Sequence, residues 1–283
     1  MHMTLSMGLQ LFSVRDELAK DYFSTLKKIA DIGYRNLEFF IHDADKEMKI
    51  EGLEAKDLKN RLEELGLKAI SMHVSPLTDE IIEEAITYNL ELGSGGIGCS
   101  IAFFSNKQEV LEFSKTLNKY GQKCKEKGLD FYYHNHFQEF QKFDGEYVLD
   151  IILKNTDPEL VKLEFDTYWT LRGGVDPVDY LKKVKERCKI IHQKDMPSST
   201  NPVNAFESID ENAVIDFEAF IPFSQPEYFT EIGDGMMEIP EIIKTAEDIG
   251  SAEYILVEQD LTTRNQLESI EISYKNLKNM LNE

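Results

Sequence analysis

Along this chain, short apolar runs alternate with stretches in which apolar residues recur every three or four positions, the signature of strands alternating with helices. From Ser6, the run SMGLQLFSV (6–14) has strand character. The following YFSTLKKIADIG (22–33) sets Phe23, Leu26, Ile29 and Ala30 at helical spacing before Gly33. Further strand-like runs lie at 34–40, 67–74, 94–104, 129–137, 160–169, 188–195 and 253–260, and helical stretches at 53–66, 78–92, 106–127, 145–155, 177–187 and 264–281. Strands joined through helices predict parallel pairing by crossover, and a count near eight favours a closed barrel over an open sheet. The turn after the first strand, LFSVRDEL, also lacks the glycines of a phosphate-binding turn in an open sheet.

The expected fold is therefore a (β/α)8 TIM barrel forming a single domain over residues 1–283. One long insertion follows strand 7, between Met196 and Gly235. A polar and aromatic loop of that length predicts a substrate lid, with a solvated insertion or a subunit contact as the plain alternative.

Composition narrows the function. The 52 acidic and 31 basic residues give a net charge of -21, a field that repels a nucleic-acid backbone, so no nucleic-acid partner is expected. No apolar stretch approaches the roughly 20 residues that span a bilayer, and no membrane role is expected. Cys99, Cys124 and Cys188 form no CxxC pair, and the amino terminus lacks the pattern of a secretory signal; both favour a cytoplasmic protein.

In a parallel barrel the carboxyl ends of all strands share one face, where sites are built. There the chain places Gln10, Ser13 and Arg15 (strand 1), Glu38 (2), His73 (3), His134 and His136 (5), Asp166 and Trp169 (6), His192 and Lys194 (7) and Glu258 (8). Four of the six histidines fall at these ends, leaving His42 and one near the amino terminus in other settings. Any one such residue is most simply a hydrogen-bonded strand end. Together, acids and imidazoles crowded into one mouth need a compensating cation or substrate. A divalent ion held by His134, Asp166, His192 and Glu258 is expected, manganese first, with zinc, magnesium or cobalt as alternatives. Strand alternation puts His134 and His136 on one face, so either can be the fifth-strand ligand. Glu164, two residues before Asp166, is expected deeper in the barrel as an outer partner or buried ion pair.

The segments LQLFSVRDEL, YHNHFQEF, LEFDTYW, IHQKD, EIGDG and LVEQD, in that order between about Met7 and Asp260, resemble the sugar phosphate isomerase/epimerase family of xylose isomerase-like TIM barrels. The resemblance implies a divalent-metal site at the ends of strands five to eight, which falls on His134, Asp166, His192 and Glu258. In sugar epimerases of that superfamily a glutamate usually stands where this chain has His134. The implied activity is isomerisation or epimerisation of a keto-sugar by proton abstraction, with Glu258 as base and His134, His136 or Glu139 as the opposing acid. Gln10, Arg15, Glu38, His73, Trp169 and Lys194 are the expected substrate-binding residues, with Phe220, Phe223 and Phe229 of the long loop as a cover. Dehydration of a keto-inositol or lyase cleavage of a keto-glycoside starts with the same step, and a non-catalytic sugar-binding protein is the alternative of another class. Cleavage of abasic DNA, known for a similar barrel, is disfavoured by the acidic charge. Such barrels commonly associate, so a homodimer or homotetramer is expected.

Overall fold

A computed structural model describes residues 5–210 and 213–281. Eight parallel strands close a barrel: β1 (Ser6–Gln10), β2 (Asn36–Ile41), β3 (Lys68–Val74), β4 (Gly96–Cys99), β5 (Asp130–His134), β6 (Lys162–Asp166), β7 (Cys188–Gln193) and β8 (Tyr254–Val257), with β8 pairing back onto β1. The crossover helices are α1 (Tyr22–Ile32), α2 (Ala55–Glu64), α3 (Ile81–Leu92), α4 (Lys107–Glu126), α5 (Val148–Asn155), α6 (Pro177–Val184) and α7 (Ile239–Ile249), and α8 (Gln266–Met280) follows the last strand. The expected (β/α)8 architecture is the one observed.

Local chemistry explains where the elements begin and end. The Asn106 side chain accepts from the Glu109 amide (3.1 Å) to start α4. Asp176 accepts from the Asp179 amide (2.9 Å) ahead of Pro177 at the start of α6. Strand β5 is shorter than its apolar run, ending at His134, because Asn135 leaves the ladder. Its side chain receives the Asp166 amide (3.1 Å) and donates to the Asp166 carbonyl (3.2 Å), tying the ends of β5 and β6 together. Helix α7 was not anticipated, since its pattern runs on from the long polar stretch. A two-residue hairpin, Lys142–Phe143 with Glu146–Tyr147, also precedes α5.

Most of the apolar core lies between strands and helices. Inside the barrel, Ile70, Tyr132, Ile190 and Leu256 form a separate buried plug at the amino-terminal end of the strands, with Tyr254 against it. Above this plug the interior turns polar, which is where the strand ends bring the titratable residues together.

Candidate functional site

The polar interior is built in two storeys. In the lower one, neighbouring strands set Gln10 beside Glu38 and Glu38 beside Ser71. Gln10 donates to Glu38 Oε2 (2.6 Å) and Ser71 donates to Glu38 Oε1. His73 Nε2 meets Glu164 Oε2, and His192 Nε2 lies 2.8 Å from Glu38 Oε2. All six of these side chains are buried. Glu164 thus sits deeper than Asp166, where its place in β6 put it.

In the upper storey, Lys194 Nζ contacts Asp166 Oδ2 and Glu258 Oε2 and approaches Asp260 Oδ1 at 3.5 Å. The other Asp166 oxygen accepts from the Trp169 amide (2.7 Å), capping a short helix, Thr167–Arg172. His192 bridges the storeys, its Nδ1 lying 2.7 Å from Glu258 Oε2. His134 bridges them too, with Nδ1 at 3.9 Å from Glu164 and Nε2 at 3.9 Å from Asp166.

Burial opposes every charge here, and close partners decide which survive. Burial pushes Glu258 up, but Lys194 and His192 outweigh it and hold the carboxyl well below the ordinary range. Burial likewise raises Glu38, yet His73 and His192 bring it down to about 2, while Glu164, buried beside Glu38, is pushed up to about 7. Asp260 is raised by burial to about 7. His192 stays well above its usual value because the carboxylates of Glu38 and Glu258 overcome burial. His134 and His136 go the other way: burial and the neighbouring cationic groups keep both rings neutral at physiological pH.

A cavity of about 410 Å³ opens above. Its polar floor includes Gln10, His73, His134, His136, Glu258 and Asp260, with Arg15 at the side. Phe12, Phe40, Phe217, Phe220 and Ile221 form an apolar collar, the last three from the long loop. Its described residues form short helical turns, and both feet of the loop are tied down. The Asp195 carboxylate accepts from the amides of Met196 (2.8 Å), Gly233 (2.9 Å), Gly235 (3.1 Å) and Met237 (3.1 Å), and the Thr230 amide donates to the Asp195 carbonyl (3.1 Å). A Cβ on Gly235 would lie 2.2 Å from Asp195 Oδ1, so the EIGDG turn needs glycine there. The loop therefore covers the mouth, as its length suggested.

Several expected site residues lie elsewhere. Glu139 is fully buried behind β5, accepting from Tyr133 Oη (2.7 Å) and the His136 amide (2.8 Å); it holds the chain after β5 in place and does not line the cavity. Trp169 is likewise fully buried and packs beneath His136 and Phe220 instead of facing a ligand. Phe223 packs on Phe137 and Phe229 on Tyr168, so of the three loop phenylalanines only Phe220 lines the cavity. Conversely His42, set aside in the sequence, is part of the wall. Phe217, Ile221 and Asp260 were missed as well; Asp260 stands in the LVEQD segment, two residues past Glu258 and just beyond the carboxyl end of β8.

Two groups of four buried side chains bring their donor atoms within 4.8 Å of one another: His134, Asp166, His192 and Glu258 above, and His73, His134, Glu164 and His192 below. Either group can hold a metal ion. The buried His134 Nδ1, Glu164 Oε1 and His192 Nε2 have no hydrogen-bond partner, as fits side chains built around a cation.

Known proteins agree with this architecture. Residues 26–279 match the family model described as xylose isomerase-like TIM barrel. An inosose dehydratase of Clostridium perfringens is 32% identical over 165 residues, covering 58% of this chain and 52% of that protein. One of Lacticaseibacillus casei is 29% identical over 154 residues, 54% of this chain and 48% of the relative. These matches thus span about half the length of the curated relatives. A crystal structure of a sugar phosphate isomerase/epimerase from Parabacteroides distasonis superposes with a TM-score of 0.78 at 28% identity, covering 98% of this chain and 94% of that one. No helix among the described residues is long and apolar enough to cross a membrane.

Proposed function

The chain belongs to the xylose isomerase-like TIM barrel family, and from that premise we propose that it is a metal-assisted dehydratase of a keto-cyclitol or keto-sugar. The observation that carries this proposal is the pairing of two proton acceptors that line one mouth, His136, whose Nδ1 has no partner, and Glu258, with a buried ammonium, Lys194, that contacts Glu258 from outside the cavity. Dehydration needs both kinds of group. An acceptor takes the proton from the carbon beside the carbonyl, the electron pair forms the new C=C bond as the C–O bond at the next carbon breaks, and the departing hydroxyl takes a proton and leaves as water. The inosose dehydratase relatives favour this outcome over isomerisation or epimerisation, the first expectation from the sequence. So does His134, which stands where sugar epimerases usually carry a proton-moving glutamate.

His134 and His192, with the carboxylates beside them, are the residues that would hold a divalent ion. Such an ion supplies Lewis acidity, drawing electron density from a substrate oxygen. Glu258, kept ionised by Lys194 and His192, accepts the proton, with neutral His136 as the second acceptor. Lys194, held protonated despite its burial by Asp166, Asp260 and Glu258, balances the negative charge of the site through Glu258, and the proton that the acceptor has taken leaves with the hydroxyl as water. Gln10, His73 and Arg15 meet substrate hydroxyls, and the Phe217–Ile221 segment closes over an apolar sugar face and keeps water out.

The test is a panel of keto-inositols and keto-sugars in heavy water with the metal-loaded chain, followed by proton NMR for exchange and for the enone product. Elimination from at least one keto-cyclitol is expected. Exchange without elimination would replace dehydration by isomerisation or epimerisation, and saturable binding without either would leave a sugar-binding protein.

A further inference from the structure

Part of the long loop, Phe217–Phe220 running into Ile221–Phe223, is a helical wall shared by two cavities. Phe217, Phe220 and Ile221 line the one over the barrel mouth. Ala219, Pro222 and Phe223 line another, of about 460 Å³, which has no lining residue in common with the mouth. Tyr228 adds an aromatic side to this outer cavity, and Arg172, the last residue of the short helix after β6, reaches it with only 1% of its surface exposed.

Arg172 is a buried charge without a counter-charge. Its Nη1 donates to the carbonyls of Pro202 (2.5 Å) and Val203 (3.0 Å), and its guanidinium carbon lies 4.8 Å from the Tyr228 ring centre and 5.5 Å from that of Phe223. Nε is buried with no hydrogen-bond partner. Among the described residues no carboxylate pairs with it; the ionisable groups that its charge senses are the phenols of Tyr168 and Tyr228. Carbonyls and ring faces orient a guanidinium but do not neutralise it, and a buried ion is costly until a counter-ion meets it. The edge left over, Nε with Nη2, is the fork that a carboxylate takes through two parallel hydrogen bonds.

From this we infer that the outer cavity is a binding site for a small organic carboxylate with an apolar body, the carboxylate on Arg172 and the body against Pro222, Phe223 and Tyr228. Two features oppose an anion here, the net charge of -21 and Asp210, an exposed residue of the same lining. Both act through water, which screens them, whereas Arg172 lies out of water, where a charge pair is screened far less. The occupant rests on the outer face of the wall whose inner face covers the mouth, so the site lies apart from the strand-end chemistry and depends on none of it.

The experiment titrates benzoate into the full chain by calorimetry at low, constant ionic strength, with benzamide as the flat but uncharged control. Saturable binding with a Kd below about 5 mM is expected, a modest affinity fitting one ion pair and one ring. Benzamide should bind at least about tenfold more weakly, since it cannot form the charge-assisted pair. Ser208, exposed on the same lining, tunes the field without touching the guanidinium: Ser208→Lys should tighten benzoate and Ser208→Glu weaken it, each by about threefold. Arg172→Gln, checked by circular dichroism, should abolish the binding; because it also gives up the bonds to Pro202 and Val203, the Ser208 pair carries the test if that variant does not fold. Chelator-stripped and Zn²⁺-loaded protein should bind benzoate alike. The inference is overturned by the absence of saturable binding, by benzamide binding as tightly as benzoate, or by equal affinity in the two Ser208 variants. A benzoate affinity that depends on added Zn²⁺ overturns it too, by placing the carboxylate in the mouth. Turnover is no part of the readout, so failure of the proposed dehydration would leave this site standing.

Discussion

The two halves of the barrel interior solve the same packing problem with opposite materials. At the amino-terminal end, Ile70, Tyr132, Ile190 and Leu256 fill the space with side chains that gain by leaving water. Further along the strands, two residues on from Tyr132 in β5 and from Ile190 in β7, the space is filled by Gln10, Glu38, Ser71, His73, His134, Glu164 and His192, all buried and held by one another's charges and hydrogen bonds. The contrast teaches that the plug is stable residue by residue, whereas the polar storeys are stable only as a set. A missing methyl group leaves a void; a missing charge leaves its partners stranded.

That difference can be broken from the polar side first. Lys194→Met removes the ammonium from three buried carboxyl groups, and the metal-stripped variant should lose about 4 kcal/mol in a urea titration, since buried pairs cost 3–5 kcal/mol when one partner goes. A loss under about 1 kcal/mol would mean that the carboxyl groups are already protonated or hydrated. In the plug, Leu256→Ala should cost about 3 kcal/mol, as cavities of that size do, with Zn²⁺ affinity unchanged. A matching fall in metal affinity would show that the two halves are coupled.

The smallest effect is a pH trend, because its contributors oppose one another. Glu38, held down to about 2, adds stability that is present above the ordinary carboxylate pKa of 4.5 and lost as pH falls toward 2. Glu164, Asp260 and Glu139, each pushed up to about 7, have the reverse sign: their contributions are present below the ordinary carboxylate range and lost as pH rises through 7. The thermal midpoint of metal-stripped protein should therefore peak near pH 5 and decline toward pH 7.5, and Glu164→Gln should make the decline shallower, with Asp260 and Glu139 keeping the rest of it. A midpoint that climbs steadily to pH 7.5 would contradict the charge assignment.

The plug and the polar storeys also differ in how far they could be read without coordinates. Period and run length gave all eight strands, and Glu38, His73, His134, Asp166, His192, Lys194 and Glu258 meet because parallel strands share one end. Strand parity also separated Glu164 from Asp166 in depth. Parity fails once a strand stops. Strand β5 ends at His134, so Glu139, five residues on, swings behind the sheet, and Trp169, inside the short helix after β6, is turned under His136. The division of each imidazole between two ligand groups lies beyond sequence reasoning, because it depends on ring orientation. The collar residues Phe217 and Ile221 come from a loop without a period, and nothing in their spacing distinguishes them from Phe223 and Phe229.

The clamp that Asp195 places on both feet of the long loop has an evolutionary corollary. Because the joint is closed by backbone amides and a glycine, the segment between its feet can be rewritten in length and composition while the barrel and the residue beside the clamp, Lys194, keep their places. Such a loop is an exchangeable cassette: a lineage can try new substrates by editing it, at no risk to the inherited chemistry beneath.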